Sequence, residues 1–118
     1  MDIATAERAL TLLVAQQGGL GPGQTALGSD KLPEAAPLAT VRFVSGRFSG
    51  EALTDCVAEV RGVFAEPEEA RAFAAAFWGS LPRYGAEGFA ELAAEGGVEF
   101  AEYKGFFTAT GRVRARFA

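Results

Sequence analysis

Two seven-residue segments of this chain repeat the same order of residue types, 43 positions apart. Residues 58–64 read AEVRGVF and residues 101–107 read AEYKGFF, which in both cases is small, acidic, large, basic, glycine, large and phenylalanine. Because the second copy leads into a hairpin-like alternation, we predict that both copies are strands. The glycine shared by the copies, Gly62 and Gly105, would leave room for a helix or another backbone to come close. The match does not extend into the flanking residues, so a chance match in a biased sequence is the alternative.

The residues around the first copy support a sheet, with one ambiguity. Ala39, Val41 and Phe43 alternate with Thr40, Arg42 and Val44, which predicts a strand that ends at Ser45-Gly46. Residues 51–65 fit either the spacing of a helix or that of a strand. Periodicity alone therefore leaves residues 51–57 open between helix and strand.

Three helices are predicted from apolar residues at helical spacing. The first covers residues 3–16, with Asp2 or Thr5 to cap it and Gly18-Gly19 to end it. The second begins at Pro67, ends before Pro82, and places Ala70, Phe73, Phe77 and Leu81 in one stripe. The third covers residues 86–95 before Gly96-Gly97, with an apolar side of Phe89, Leu92 and Ala93 and an acidic side of Glu87, Glu91 and Glu95.

Residues 18–37 are rich in glycine and proline and lack periodicity. They predict one long loop, a feature that tends to be functional or mobile in a compact domain. Their glycines follow a helix and lack the Gly-Lys-Ser/Thr of a phosphate-binding loop. We therefore interpret Gly18–Gly23 as a helix cap followed by a linker.

A C-terminal hairpin is predicted with a three-residue loop, Ala109-Thr110-Gly111, in which Gly111 is left-handed. This pairing separates the side chains of the hairpin into two classes. One face would carry Tyr103, Gly105, Phe107, Val113, Ala115 and Phe117. The other would carry Lys104, Phe106, Arg112, Arg114 and Arg116.

These elements predict a single α+β domain over residues 1–118. The expected architecture is a two-layer sandwich, with an antiparallel sheet of about four strands and with the N-terminal helix and two central helices on one face. An apolar content of 49% is sufficient for a packed core.

The composition excludes several classes of site. The chain contains no histidine and one cysteine, which removes Ser-His-Asp and Cys-His catalysis, histidine metal sites and histidine-ligated haem. We predict no cofactor, no metal and no catalytic residue, although Glu99 and Glu102 near Tyr103 are the carboxylates to inspect. Cys56 has acidic neighbours and no activating base, so we expect an inert, buried thiol.

The charge is unevenly distributed along the chain. The net charge is −4, yet no acidic residue follows Glu102, whereas four basic residues do. The arginines of the hairpin could bind an anionic partner or pair with Glu59 and Glu99 on neighbouring strands, and the negative total favours pairing. We do not expect binding to nucleic acid or to a membrane.

Two functions from different classes follow. The first is a non-enzymatic interaction module that self-associates, as a homodimer for example, or docks to a protein partner through its sheet. Its candidate partner-binding residues are Lys104, Phe106, Arg112, Arg114, Arg116 and Trp78. The alternative is a carrier of a small apolar ligand, with a pocket between sheet and helices lined by Phe73, Phe77, Tyr103 and Phe107.

The start of the chain lacks the basic region of a secretory signal, and no apolar run approaches the length of a membrane span. A lone cysteine forms no internal disulfide. We therefore expect a cytoplasmic protein.

Overall fold

A computed structural model describes residues 1–27, 35–85 and 88–117. Six strands form one mixed sheet that curls into a half-barrel, in the order β1-β2-β3-β6-β5-β4. In chain order the elements of the described residues are α1 (Ile3–Gly18), β1 (Thr25–Leu27), β2 (Leu38–Ser49), β3 (Ala52–Phe64), α2 (Pro67–Phe77), a 3-10 turn (Trp78–Ser80), β4 (Arg83–Tyr84), β5 (Phe89–Tyr103) and β6 (Phe106–Phe117).

The two α-helices lie where the apolar stripes predict them. In α1 the Thr5 amide donates a hydrogen bond of 2.8 Å to Asp2 Oδ1, and this bond lowers the pKa of the Asp2 carboxyl. Gly19 ends the helix with a left-handed φ of 73°. In α2, Pro67 occupies the first turn, and the helix tightens into the 3-10 turn before Pro82. Both helices are confirmed, except that Leu81, expected in the stripe of the second helix, lies in extended backbone after the 3-10 turn.

Both helices pack on one face of the sheet. α1 contacts β1 and β2, whereas α2 contacts β3, β6 and α1. The buried residues of the helices and of four strands form one apolar cluster; on the helices they are Ala6, Leu10, Leu13, Val14, Ala70, Phe73, Ala74 and Phe77. The stripes predicted from helical spacing therefore supply much of the core.

Of residues 51–57, which periodicity left open, Glu51 is in a turn and residues 52–57 belong to the strand β3. β2 and β3 form an antiparallel hairpin in which Val41 pairs with Val60 and Ala39 with Gly62. The expected strand at 39–44 is confirmed and continues to Ser49. The room expected at the repeated glycine is used at Gly62, where the ring of Phe73 lies against the backbone, whereas Gly105 is in a turn.

The prediction of a helix over residues 86–95 is wrong, because the described part of this segment, residues 88–95, leads into and lies within β5. A register shift between Phe89 and Glu91 places both Phe89 and Leu92 on the buried face. Two apolar residues three positions apart therefore occur on one face of a bulged strand. The expected acidic helix face does not form, and Glu87 lies outside the described residues.

The predicted register of the C-terminal hairpin is also wrong. β6 runs without interruption through Ala109-Thr110-Gly111, and the turn consists of Lys104 and Gly105, whose φ angles are 47° and 84°. Two positive φ angles are typical of the two-residue turns that match the twist of a hairpin. The inward side chains of Val113, Ala115 and Phe117 are as expected. Tyr103 pairs with Phe106 and so does not share a face with Phe107.

The predicted sandwich of about four antiparallel strands and three helices is corrected by these findings. The sheet has six strands, is mixed and curls into a half-barrel that packs against two α-helices. One strand comes from the segment expected to be a loop, because Thr25–Leu27 pairs in parallel with residues 39–41. Residues 28–34 of that segment lie outside the described residues. None of the helices described is long and apolar enough to span a membrane.

Candidate interaction surface

Charged side chains are arranged in rows across the sheet face that points away from the helices, which we call the outer face. In one row, Arg42, Glu59, Arg112 and Glu95 lie side by side on β2, β3, β6 and β5. In the second, the order is Arg47, Asp55, Arg116 and Glu91. Each row alternates in sign from strand to strand, which is the favourable arrangement for cross-strand neighbours.

Several of these residues form ion pairs. The guanidinium of Arg42 lies 3.5 Å from the carboxylate of Glu59, and that of Arg47 lies 3.7 Å from Asp55. Arg114 donates a hydrogen bond to Glu95, and this bond raises the pKa of the Arg114 guanidinium. Pairs as exposed as these add little stability each. Their main consequence is that the outer face carries no large excess of one charge.

The six predicted partner-binding residues lie in three places. Arg112, Arg114 and Arg116 are exposed on the outer face, as their alternation indicates. Lys104 and Phe106 are at the β5–β6 turn, where the Lys104 ammonium lies 5.5 Å from the centre of the Tyr103 ring. Trp78 is on the helix side, half-buried, and would lie only 2.9 Å from a Cβ added at Gly111. The structure therefore brings only the three arginines together.

The residues of the predicted ligand pocket are also separated. Phe73 and Phe77 are buried and stack with their ring centres 6.1 Å apart. Phe107 packs against the same cluster, but Tyr103 belongs to the opposite face of the hairpin. The carrier hypothesis stays a prediction, and its four residues do not surround one space.

A shallow groove lies on the helix side of the β5–β6 hairpin. It has a volume of about 280 Å³ and is bounded by the first turns of α2 and by both strands, through Pro67, Ala70, Arg71, Phe100, Ala101, Glu102, Phe107 and Thr108. Most of this lining is apolar. The groove opens beside Phe100, whose side chain is 56% exposed.

The outward edge of β5 has, over most of its length, no partner among the described residues. Among the described residues, β4 pairs with β5 only at Glu91 and Leu92, and the residues that directly follow β1 along the chain lie outside the description. In the part of the chain that the structure describes, the edge of residues 93–103 therefore presents backbone amides and carbonyls without a strand beside them. Such edges accept another strand readily. Sequence reasoning missed the edge of β5, because this edge depends on how short the neighbouring strand β4 is.

The remaining candidate residues form no site of their own. Glu99 and Glu102 are exposed on β5. In the ranges that the structure describes, no group of three or more acidic residues or cysteines is placed to hold a metal ion. Cys56 is buried, as predicted.

The pKa of the Cys56 thiol is raised from 9.0 to about 11 by burial and then by the carboxylate of Asp55. Because the unfolded chain then loses the thiol proton at lower pH, the resulting stability is complete below pH 9 and is lost between pH 9 and 11. Between pH 9 and 11 we expect the free energy of unfolding of the wild type to fall more steeply with pH than that of Cys56→Ala. The difference in slope should be up to about 1 kcal/mol per pH unit. Urea titrations across this window measure both slopes, and equal slopes would contradict the prediction.

No protein-family model matches this chain, and no curated protein matches it significantly.

Proposed function

We propose that this chain is a non-enzymatic interaction module that docks to protein through its sheet, in the cytoplasm. The observation that carries the proposal is the long edge of β5 at residues 93–103, which has no strand partner among the described residues. Natural monomers usually keep edge strands short or covered.

Exposed apolar side chains on β2 and β5 support the proposal. Phe48 on β2 and Phe100 on β5 are 54% and 56% exposed, and Val44 on β2 is exposed as well. Aromatic residues in such positions are the side chains that most often dominate protein interfaces. Backbone pairing would supply affinity, and these side chains would supply specificity.

The outer face favours a protein partner over a polyanion. Its arginines alternate with carboxylates in both rows, so a phosphate backbone would meet acidic groups at every second strand. A protein surface of mixed charge can match such a pattern.

Native mass spectrometry of the protein as purified, with light scattering over a range of concentrations, tests this function. We expect masses of two or more chains, or of one chain with a second protein, because the edge of β5 at residues 93–103 is available for pairing. The mass of one chain at every concentration, without bound protein, would contradict the proposal. A single chain that retains a small molecule would instead support the carrier.

A further inference from the structure

We infer that the partner at the β5 edge is an extended segment of a different protein, with basic residues on both sides of a large apolar residue. The segment adds to the sheet as a further strand, antiparallel to β5. This inference rests on the proposed function and names the chemistry of its partner. It is supported by the charge of the edge, by the direction of its side chains and by the groove beside Phe100.

The continuous part of the β5 edge is residues 99–103. A register shift between Glu95 and Glu99 interrupts the pairing of β5 with β6, and Gly96 in this interval has a left-handed φ of 77°. From Glu99 to Tyr103 each residue pairs with one residue of β6 without a further shift. No described residue pairs with the outward side of this stretch, which is separated from β2 by β3 and β6. An extended segment therefore has a regular row of backbone groups to bond.

The side chains of this edge are acidic. Residues 93–103 contain three glutamates, Glu95, Glu99 and Glu102, and no basic residue. Glu95 is bonded to Arg114, whereas Glu99 and Glu102 are exposed and form no ion pair with any residue that the structure describes. A basic side chain directly opposite a carboxylate is the favourable neighbour on an adjacent strand. The edge therefore favours a strand that carries lysine or arginine.

The same charges disfavour a second copy of this chain as the partner. If β5 of one copy lay beside β5 of another, the glutamates of both copies would be brought together without a basic residue from either stretch. Like charges on neighbouring strands are unfavourable. Lys104, the next residue, is in the turn, with its ammonium 5.5 Å from the centre of the Tyr103 ring. The segment that fits this edge therefore belongs to another protein.

The side chains of residues 99–102 alternate between the two faces of the sheet. Phe100 lies opposite the buried Ala109, and Glu102 lies opposite Phe107, which packs against the core, so both are on the helix side. Glu99 is on the outer face. An added antiparallel strand places each side chain on the same face as the β5 residue opposite to it.

This alternation specifies the order of residues in the partner. From its N terminus, the segment carries a basic residue, a residue of any type, a large apolar residue and a second basic residue. In the antiparallel arrangement these four lie opposite Glu102, Ala101, Phe100 and Glu99. The two basic residues then lie on different faces of the sheet, each beside a glutamate.

The groove beside Phe100 receives the apolar residue of the partner. It has a volume of about 280 Å³ and a mostly apolar lining, with one basic and one acidic side chain, Arg71 and Glu102. Because these two charges balance, the groove favours an apolar group over a charged one. Phe100 is 56% exposed, so an apolar side chain opposite it covers both the ring and the groove. This burial supplies affinity, and the basic residues supply selectivity.

Short peptides that differ at single features test the inference. The peptide TVKTFRVT has the specified order, TVETFEVT is its acidic counterpart, and TVKTSRVT lacks the apolar residue. Fluorescence anisotropy of the labelled peptides measures the Kd of each. We expect the wild type to bind TVKTFRVT roughly 10-fold or more tightly than either of the others. N-methylation of the central residues of TVKTFRVT should weaken binding by a similar factor, because it removes the backbone donors.

Charge reversal on the protein tests the same contact from the other side. Glu99→Lys/Glu102→Lys should bind TVETFEVT more tightly than TVKTFRVT, which reverses the preference of the wild type. Glu7→Lys/Glu51→Lys is the matched control, since it changes the net charge equally on α1 and on the β2–β3 turn, away from β5. It should keep the preference of the wild type. Circular dichroism should show that both variants are folded.

The outcomes separate this inference from the proposed function. Equal binding of TVKTFRVT and TVETFEVT by the wild type, or an unchanged preference in Glu99→Lys/Glu102→Lys, would overturn the inference and leave an edge that docks protein. A wild-type dimer in which contact protects the amides of residues 99–103 from hydrogen exchange would do the same, with a second copy as the partner. Failure of the wild type to bind any of the peptides, together with the mass of one chain alone, would contradict both.

Discussion

Replacement of Phe77 by alanine is expected to lower the free energy of unfolding by about 3–5 kcal/mol. The Phe77 side chain is 0% exposed, and its ring centre lies 5.1 Å from that of Trp78. Phe77 is the last residue of α2, so its loss leaves a cavity where the helix ends against the core. A chain of this size has a total stability of about 5–15 kcal/mol, and the variant should therefore be close to unfolding.

Urea denaturation followed by circular dichroism measures this effect. Tyr84→Ala is the matched control, because it removes an aromatic ring that is 66% exposed, and we expect a change within about 0.5 kcal/mol. A loss of less than about 1 kcal/mol in Phe77→Ala would mean that α2 does not pack on the sheet as described.

The helices could be predicted from the sequence because their signals are local. Asp2 and Gly19 define the ends of α1, and Pro67 defines the start of α2. The apolar stripes between these ends have one explanation, which is a helix with one buried face. No contact with a distant residue is needed to identify such a segment.

The prediction of a third helix was wrong because a bulge in β5 places apolar residues three positions apart on one face, which is also the spacing of a helix. Phe89 and Leu92 are three residues apart, and in a regular strand they would lie on opposite faces. The register shift after Phe89 returns both to the core, where Leu92 pairs with Ala115. That pairing joins residues far apart in the chain, and periodicity within a short window does not report it.

In the β5–β6 hairpin, the facing of the side chains could be predicted from neighbouring residues alone, whereas the position of the turn could not. The alternation of Arg112, Arg114 and Arg116 with buried residues depends only on the period of a strand, and it is observed. The position of the turn depends on backbone conformation at Lys104, a non-glycine residue with a φ of 47°. Because non-glycine residues rarely adopt a positive φ, the sequence does not indicate a turn at Lys104.

The candidate surface was predictable only to the extent that it consists of alternating side chains. The three arginines were identified, and Glu59, expected as a partner, lies opposite Arg112. The unpartnered edge of β5 depends on β4 being only two residues long, Arg83–Tyr84. A strand of two residues is too short to show a period of its own.

Gly62→Ala is expected to lower the free energy of unfolding by about 1–3 kcal/mol, although alanine is ordinarily the more favourable residue in a strand. A Cβ at this position would lie 2.6 Å from Phe73 Cδ2 and 2.7 Å from Phe64 Cε2. The Phe73 ring cannot move away, because its opposite side lies against the backbone of Gly18. A Cβ built on Gly18 would be 2.5 Å from Phe73 Cε1. The added methyl group must therefore displace a buried ring.

A double variant distinguishes this contact from a general sensitivity of β3. Shortening the ring in Phe73→Leu removes the atoms that meet the new methyl group, so Gly62→Ala should cost less in that background than in the wild type. Urea denaturation of the four chains gives the coupling free energy, which we expect to be about 1 kcal/mol. Gly97→Ala is the matched control within β5, because nothing lies within 4 Å of an added Cβ and its φ is not left-handed. Strictly additive losses at Gly62 and Phe73, or an equal loss at Gly97, would show that the glycine is not required for the approach of α2 to β3.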